Sequence, residues 1–437
     1  MAHVVVFTIP AQGHVTPTLA VVEELVRRGH QVTYLSTEEY AASVKAAGAE
    51  PLLYPTTWAA NRATDGDGEA EPPAEQPVPE PSEIVAWAPL VVLAETLAQV
   101  QAAKEHFEGT PPDLVLYDAV NYVVGRGLAR LWDVPAVKLF TSFASHESFS
   151  LFGKLTVGAE PDPQHIAVQE FARLTGEFLE AHGYPGVPAE ELSDRHEDLS
   201  VVFVPRAFQI APELFDDRYV FVGPALGDRG FQGAWQPPES GLPVVLLALG
   251  TEEPRPTAAF FRSCVEAFRG EPWHLVLSTG NVDPAELGPL PSNVEAHQRV
   301  PQLEVLRHAS AFVSHAGMGS VMEALRFRVP LVTMPKVPEQ AVVAARTTEL
   351  GLGVFVSDKG VSDGGAPVAE RIEELGISRF TPFTGDAGEW LVDAVRRVSS
   401  DAGIGERLAG MHGEVDGAGG ARRAAEAVEA RLTAPRA

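Results

Sequence analysis

An α/β fold is predicted, with two doubly wound, Rossmann-like domains on mostly parallel sheets. Three observations carry it: short valine-rich apolar runs, amphipathic helical stretches alternating with them, and a length of 437 residues. Strands buried on both faces read as unbroken apolar runs, and parallel strands need a crossover to return the chain. At roughly 150 to 200 residues per domain, the length calls for two.

The first unit of the pattern is a strand over 3–9, a Gly- and Pro-containing turn over 11–17, a helix over 18–28 closed by Gly29, and a strand over 31–36. Strand, helix and strand within so short a span make a βαβ unit. The pattern returns as a strand over 113–117, a helix over 125–132 and a strand over 136–140, and a further strand is read at 219–222. After a Gly/Pro-rich stretch containing Trp235 it restarts, with strands over 244–249, 274–278, 311–314 and 331–334 and helices over 258–268 and 320–327. This assigns an N-terminal domain to 1–222, a linker to 223–243 and a C-terminal domain to 244–416. Residues 65–81 hold six acids, five prolines and no base, the composition of an exposed disordered loop. The segment 345–351 is partly echoed at 370–376, which reads either as a second helix-and-turn copy or as two helices with similar glycine stops.

Charge narrows the function. With 33 Lys+Arg against 59 Asp+Glu the net charge is −26, a field that repels polyanions and argues against nucleic acid as a partner. The single cysteine, Cys264, has no partner for an internal disulfide, which points to a reducing cytoplasm. No apolar run approaches the ~20 residues that a membrane-crossing helix needs, so no membrane partner is expected.

Two segments carry chemistry. His315-Ala316-Gly317-Met318-Gly319-Ser320-Val321-Met322-Glu323 lies between a strand and a helix. Small residues there let backbone approach a ligand, and the helix start offers free N–H groups to phosphate oxygens. His315 adds a donor, and Glu323 is placed to accept from ribose hydroxyls. This is an anion site without lysines, so donor affinity is expected to depend only weakly on salt. The second segment, Gln12-Gly13-His14-Val15-Thr16-Pro17, follows the first strand, and Asp118 closes another strand of the same domain. A carboxylate on one imidazole nitrogen fixes the tautomer and raises basicity, which a general base needs. Ligands of doubly wound domains sit at C-terminal strand ends, and the two domains are expected to face each other across a cleft.

The order Gly13-His14-Val15-x-Pro17, Val300-Pro301-Gln302, His315-Ala-Gly-x-Gly-Ser320 and Pro335-x-x-x-Glu339-Gln340 resembles the inverting family-one glycosyltransferases, in particular the bacterial macrolide glycosyltransferases. The resemblance runs nearly end to end. It implies a GT-B architecture, an acceptor-binding N-terminal domain, a nucleotide-sugar-binding C-terminal domain, and a final helix in 417–437 crossing back to the first domain.

Carried over residue by residue, the resemblance makes His14 the catalytic base and Asp118 its partner. His315 and Ser320, with Gly317 and Gly319 in the same loop, become diphosphate contacts, and Glu323 the ribose contact. Glu339 and Gln340 become the pair that binds sugar hydroxyls. Val300 and Gln302 fall in the base-binding segment, and Thr251 near the phosphates. Three departures stand out. Arg299 occupies a place where relatives often carry a tryptophan stacked on uracil, a face that a guanidinium also covers. Glu339 replaces the commoner aspartate. The segment 356–380 is longer than the family pattern and reads as an insertion.

The implied reaction is a single inverting displacement from a UDP- or dTDP-sugar to a hydroxyl of a hydrophobic macrolide or other polyketide aglycone, in antibiotic biosynthesis or resistance. It calls for no cofactor and no metal, and for a monomer or homodimer; the one DxD match, Asp65-Gly66-Asp67, lies in the acidic loop. Trp87, Phe143, Phe149 and Phe152 are candidates for an apolar acceptor pocket. A nicotinamide dehydrogenase is disfavoured because the first turn lacks G-x-G-x-x-G. A nucleotide-sugar epimerase of the same architecture would turn over without acceptor, and a silent nucleotide-sugar-binding protein would not turn over at all.

Overall fold

The computed structural model describes residues 1–58, 80–146, 148–183, 197–227, 233–250, 256–357, 360–362, 367–380 and 387–434. Two compact units emerge. One comprises Met1–Phe203, Glu213–Gly227 and Gly419–Ala437, the other Val204–Pro212 and Asp228–Ala418.

In the first unit, strands β1 (His3–Phe7), β2 (Gln31–Ser36), β3 (Glu50–Leu53), β4 (Leu114–Asp118), β5 (Ala136–Phe140), β6 (Ser200–Val202) and β7 (Tyr219–Phe221) form one sheet in the order 3-2-1-4-5-6-7. Every pairing in it is parallel. Alternate residues of β1 feed opposite cores, as a two-sided sheet requires. Val4 and Val6 pack with Leu25 and Val428, while Val5 and Phe7 pack with Leu93, Leu128 and Phe178. Burying each such side chain contributes about 1.5 to 3 kcal/mol.

The helix that follows β1 spans Gln12–Arg27, so the expected turn over 11–17 is helical. The N–H groups of His14 and Val15 both donate to the Ala11 carbonyl at 2.9 Å. Pro17 is tolerated because it sits near the helix start, where little of the hydrogen-bond ladder is lost.

Of the acidic loop expected over 65–81, residues 65–79 and with them the DxD lie outside the described residues. Pro81 is not loop but the first residue of a helix, Pro81–His106, where its missing N–H costs nothing. This helix is long and apolar enough to cross a membrane, which the sequence reading overlooked. Part of it, including Leu93 and Ala103, packs into a core of the first unit. Gln99 Nε2 donates to the Thr8 carbonyl at 2.7 Å. The Glu95 carboxylate accepts from Tyr54 Oη (2.6 Å), Thr56 Oγ1 (2.8 Å) and the Thr57 and Trp58 N–H groups (2.7 and 2.9 Å).

In the second unit, β8 (Val244–Ala248), β9 (His274–Ser278), β10 (Val294–His297), β11 (Ala309–Ser314), β12 (Leu331–Thr333), β13 (Gly353–Ser357) and β14 (Gly360–Ser362) run in the order 10-9-8-11-12-13-14. Among the described residues of this sheet, only the β13–β14 pair is antiparallel. The 356–380 segment supplies that hairpin, a short helix Val368–Arg371 and a 3-10 turn Ile372–Leu375; residues 358–359 and 363–366 are outside the described set. It is no copy of the preceding helix end. Gly351 closes the helix Pro338–Glu349 with φ +64°, whereas Gly376 is extended at φ −68° and ψ 167°.

The division between units differs from the expected one. Residues 204–212 join the second unit because the Arg346 guanidinium gathers the carbonyls of Ala207, Phe208 and Gln209 at 3.0 to 3.1 Å. Residues 223–227 stay with the first, and 233–243 form neither helix nor strand. The C-terminus forms two helices, Ala402–Ala418 and Gly420–Thr433, broken where Gly419 and Gly420 adopt φ of +90° and +56°. The last helix packs on Gln12–Arg27 inside the first unit, with Arg28 Nη1 donating to Glu429 Oε2 at 2.8 Å.

Candidate active site

Each sheet reverses its strand order once near its middle: between β1 and β4 in the first unit, and between β8 and β11 in the second. Connections leave such a point in opposite directions and open a crevice at the C-terminal strand ends, where doubly wound domains bind ligands.

In the first unit that point is flanked by His14 and Asp118. His14 lies in the first turn of the helix Gln12–Arg27, and Asp118 ends β4, whose Leu116 and Tyr117 pair with Val6 and Phe7. The Nδ1–H of His14 donates to Asp118 Oδ2 at 2.7 Å. Asp118 is 1% exposed and His14 26%, so the acid is sealed while the imidazole reaches ligand space. The other Asp118 oxygen accepts from the Val120 N–H at 3.0 Å. With Nδ1 committed as donor, the lone pair rests on Nε2, the arrangement of a general base. Thr18 Oγ1 bonds to the His14 and Val15 carbonyls and to Tyr34 Oη, which also meets Thr8 Oγ1. This buried network braces the turn that carries His14.

Sequence reasoning missed Thr141, whose hydroxyl lies 3.3 Å from His14 Nδ1. It directly follows β5, the same strand-end signal that singled out Asp118.

In the second unit the segment after β11 wraps the crevice. Ala316 takes φ +62°, a left-handed conformation rare for a residue with a Cβ, and is fully buried; strain of this kind costs about 1 to 3 kcal/mol and gathers at ligand sites. The helix begins at Met318 with Gly317 as its N-cap, two residues earlier than expected, so Ser320 and Glu323 both lie on it. A Cβ on Gly250 would come within 2.7 Å of His315 Nε2, and one on Gly317 would collide with the same ring. The glycines therefore make room for this histidine. Burial first, and then the nearby Lys336 charge, depress the His315 pKa to about 3 against a hydrogen bond to the Ala248 carbonyl that raises it, so the imidazole is neutral. Its Nδ1 is buried without a hydrogen-bond partner among the described residues.

Gln302, first residue of the helix Gln302–Leu306, donates from Nε2 to Glu323 Oε2 at 2.6 Å and to Ser320 Oγ at 3.4 Å. Three separately chosen residues thus meet. Val300 is half-buried and Arg299 exposed in the loop between β10 and that helix. Glu339 and the buried Gln340 open the helix Pro338–Glu349, and Gln340 Oε1 accepts from the Lys336 N–H at 2.9 Å. Gly319 is exposed. Thr251 lies outside the described residues.

The four aromatic candidates divide. Phe143 and Phe149 are buried, whereas Trp87 and Phe152 are 45% and 55% exposed. Trp87 makes an edge contact with His165, ring centroids 5.8 Å apart.

Comparison with known proteins matches this architecture. A profile of the erythromycin biosynthesis protein CIII-like C-terminal domain matches residues 274–376. The NDP-glycosyltransferase YjiC of Bacillus subtilis (strain 168) is 38% identical, covering 98% of this chain and 97% of the relative. The oleandomycin glycosyltransferase of Streptomyces antibioticus is 34% identical, covering 99% and 91%. The crystal structure of CalG4, the calicheamicin glycosyltransferase, superimposes with a TM-score of 0.78 at 36% identity over 100% of each chain.

Proposed function

The chain belongs to the family-one glycosyltransferases of the bacterial macrolide type and has their GT-B fold, and we propose that it is an inverting, metal-independent O-glycosyltransferase. In this reading it moves a sugar from a UDP- or dTDP-sugar to a hydroxyl of a hydrophobic natural-product aglycone such as a macrolide. The observation that carries the reading is the 2.7 Å contact between His14 Nδ1 and the sealed Asp118 carboxylate.

His14 Nε2 accepts the proton of the acceptor hydroxyl as its oxygen attacks the anomeric carbon. The new C–O bond forms on one face while the bond from the anomeric carbon to the β-phosphate oxygen breaks on the other. The electron pair leaves with the nucleoside diphosphate, and configuration inverts. Asp118 stabilises the imidazolium that results. Charge developing on the diphosphate is met by the N–H groups at the Met318–Arg326 helix start, the Ser320 hydroxyl and neutral His315. Gln302 and Glu323 take the nucleoside, and Glu339 and Gln340 the sugar hydroxyls. Thr251, Arg299 and Val300 complete the donor contacts. These groups neutralise the leaving group without a metal, so activity is expected to persist in EDTA. Its place is the cytoplasm, as a monomer or homodimer.

Mass spectrometry of the purified protein with UDP- and dTDP-sugars against macrolide and polyphenol acceptors tests the reading. A positioned base contributes about 100- to 10,000-fold, so His14→Ala is expected to lose transfer by at least the lower figure. Retention of more than about a tenth of the wild-type rate by His14→Ala removes the assigned base. Turnover of the donor without any acceptor points to the epimerase instead.

A further inference from the structure

The ladder between β1 and β4 ends with Phe7 beside Tyr117. Past that pair the two chains part. One runs from Thr8 into the helix Gln12–Arg27 that carries His14, and the other from Asp118 into the 3-10 turn Ala119–Asn121. The contact between His14 and Asp118 therefore depends on two turns that leave the sheet separately. Gln99, a fully buried residue of the helix Pro81–His106, bonds to both. Its Nε2 donates to the Thr8 carbonyl at 2.7 Å, and its Oε1 accepts from Asn121 Nδ2 at 3.4 Å.

The Gln99 amide has one orientation. A carbonyl oxygen only accepts, so the nitrogen must face Thr8 and the oxygen Asn121. The second Nε2 proton meets Tyr54 Oη at 3.2 Å, and the Tyr54 hydroxyl gives its own proton to Glu95 Oε1 at 2.6 Å. Glu95 is buried and also tied to Thr56, Thr57 and Trp58, which anchors this end of the network. Toward His14, Thr8 Oγ1 meets Tyr34 Oη at 3.0 Å, Tyr34 Oη meets Thr18 Oγ1 at 2.7 Å, and Thr18 Oγ1 donates to the His14 carbonyl at 3.2 Å. Asn121 is buried, and among the described residues its side chain has no hydrogen bond besides that to Gln99.

We propose that Gln99 is a positioning residue for the His14 and Asp118 pair, its amide clamping the turn that leads to His14 against the turn that follows Asp118. The inference rests on the reading of His14 as base and Asp118 as its partner. Gln99 has no hydrogen bond to either side chain among the described residues, so it acts on the distance between Nδ1 and Oδ2 through the two backbones. A misplacement of about 1 Å in a reacting group costs about 100-fold in rate, and the clamp limits such drift.

The test is proton NMR of the full chain with isotopically labelled histidine and no ligand, alongside steady-state rates with the UDP- or dTDP-sugar and acceptor that mass spectrometry identifies. Wild type should show a downfield Nδ1–H signal that His14→Ala lacks. In Gln99→Met that signal should move upfield or exchange away, and kcat should fall by about 10- to 100-fold with the KM for the nucleotide sugar unchanged. Asn121→Ala, which cuts the arm toward Asp118 alone, should behave alike, and it carries the test if Gln99→Met fails to fold. Tyr54→Phe cuts the network on the side away from His14 and should leave both the signal and kcat near wild type. In an Asp118→Asn background, Gln99→Met should cost less than about 3-fold, because residues that act as a unit are not additive. An unchanged His14 signal in Gln99→Met and Asn121→Ala, an equal loss in Tyr54→Phe, or a full loss in the Asp118→Asn background overturns the inference and leaves the catalytic reading intact. Absence of transfer by the wild-type protein overturns that reading, while the His14 signal still decides whether Gln99 holds the pair.

Discussion

The Gln302 side-chain amide donates to Glu323 Oε2 at 2.6 Å, joining the residue that opens one helix to a buried carboxylate on another. A buried carboxylate stripped of a donor bears a desolvation penalty of about 1 to 3 kcal/mol. Gln302→Leu is therefore expected to raise the KM for the nucleotide sugar by roughly 10-fold, with kcat changed much less. Initial rates with donor varied at saturating acceptor read this directly. A fall in kcat with KM unchanged would place Gln302 in the chemical step instead.

Asp118 holds His14 by a single short contact. Asp118→Asn keeps the shape but presents an amide that can donate to Nδ1, favouring the tautomer whose proton sits on Nε2. Transfer is expected to fall by about 100-fold or more, as for the corresponding change in a catalytic triad. Calorimetric affinity for UDP or dTDP should stay at the wild-type value, since the nucleotide is assigned to the other unit. A parallel loss of nucleotide binding would contradict that assignment.

Gly317 has ordinary backbone angles, φ −59° and ψ 137°, so Gly317→Ala tests space alone. The added methyl meets the His315 ring, which must move out of the donor crevice. Affinity for the nucleoside diphosphate is expected to fall by roughly 10-fold, the loss of one hydrogen bond to a charged group, with the nucleoside affected less. Titration of the purified variant with both ligands decides it.

The depressed pKa of His315, about 3 against an ordinary 6.5, has a stability consequence. Below pH 6.5 the unfolded chain binds a proton that the folded site refuses, so stability falls as pH drops from about 6.5 toward about 3, with a slope near 1.4 kcal/mol per pH unit for this one group. Above pH 6.5 the contribution is flat. His3, His182 and His274 are lowered by burial as well, so the comparison must isolate His315. Urea unfolding of wild type and His315→Asn at pH 7 and pH 5 should show a smaller pH-dependent loss in the variant; equal losses would mean His315 protonates freely in the folded state.

The alternation of apolar runs and helices was enough to give two parallel α/β units, and strand-end position was enough to single out His14, Asp118 and the His315–Glu323 segment. Those signals are local: a buried strand shows in consecutive residues, and its C-terminal end is one residue long. The tertiary structure decided what register and packing control. His14 and Asp118 lie 104 positions apart, and they touch because β1 and β4 are parallel neighbours at the point where strand order reverses. The pairing of β5 beside β4 likewise brings Thr141 to the imidazole, a contact that no spacing announces. The helix Pro81–His106 escaped notice for a different reason. It buries Glu95 and Gln99 against Tyr54 and Thr8, which lie just past the ends of β3 and β1, and its apolar residues spread around the axis, so no helical stripe marks it in the sequence.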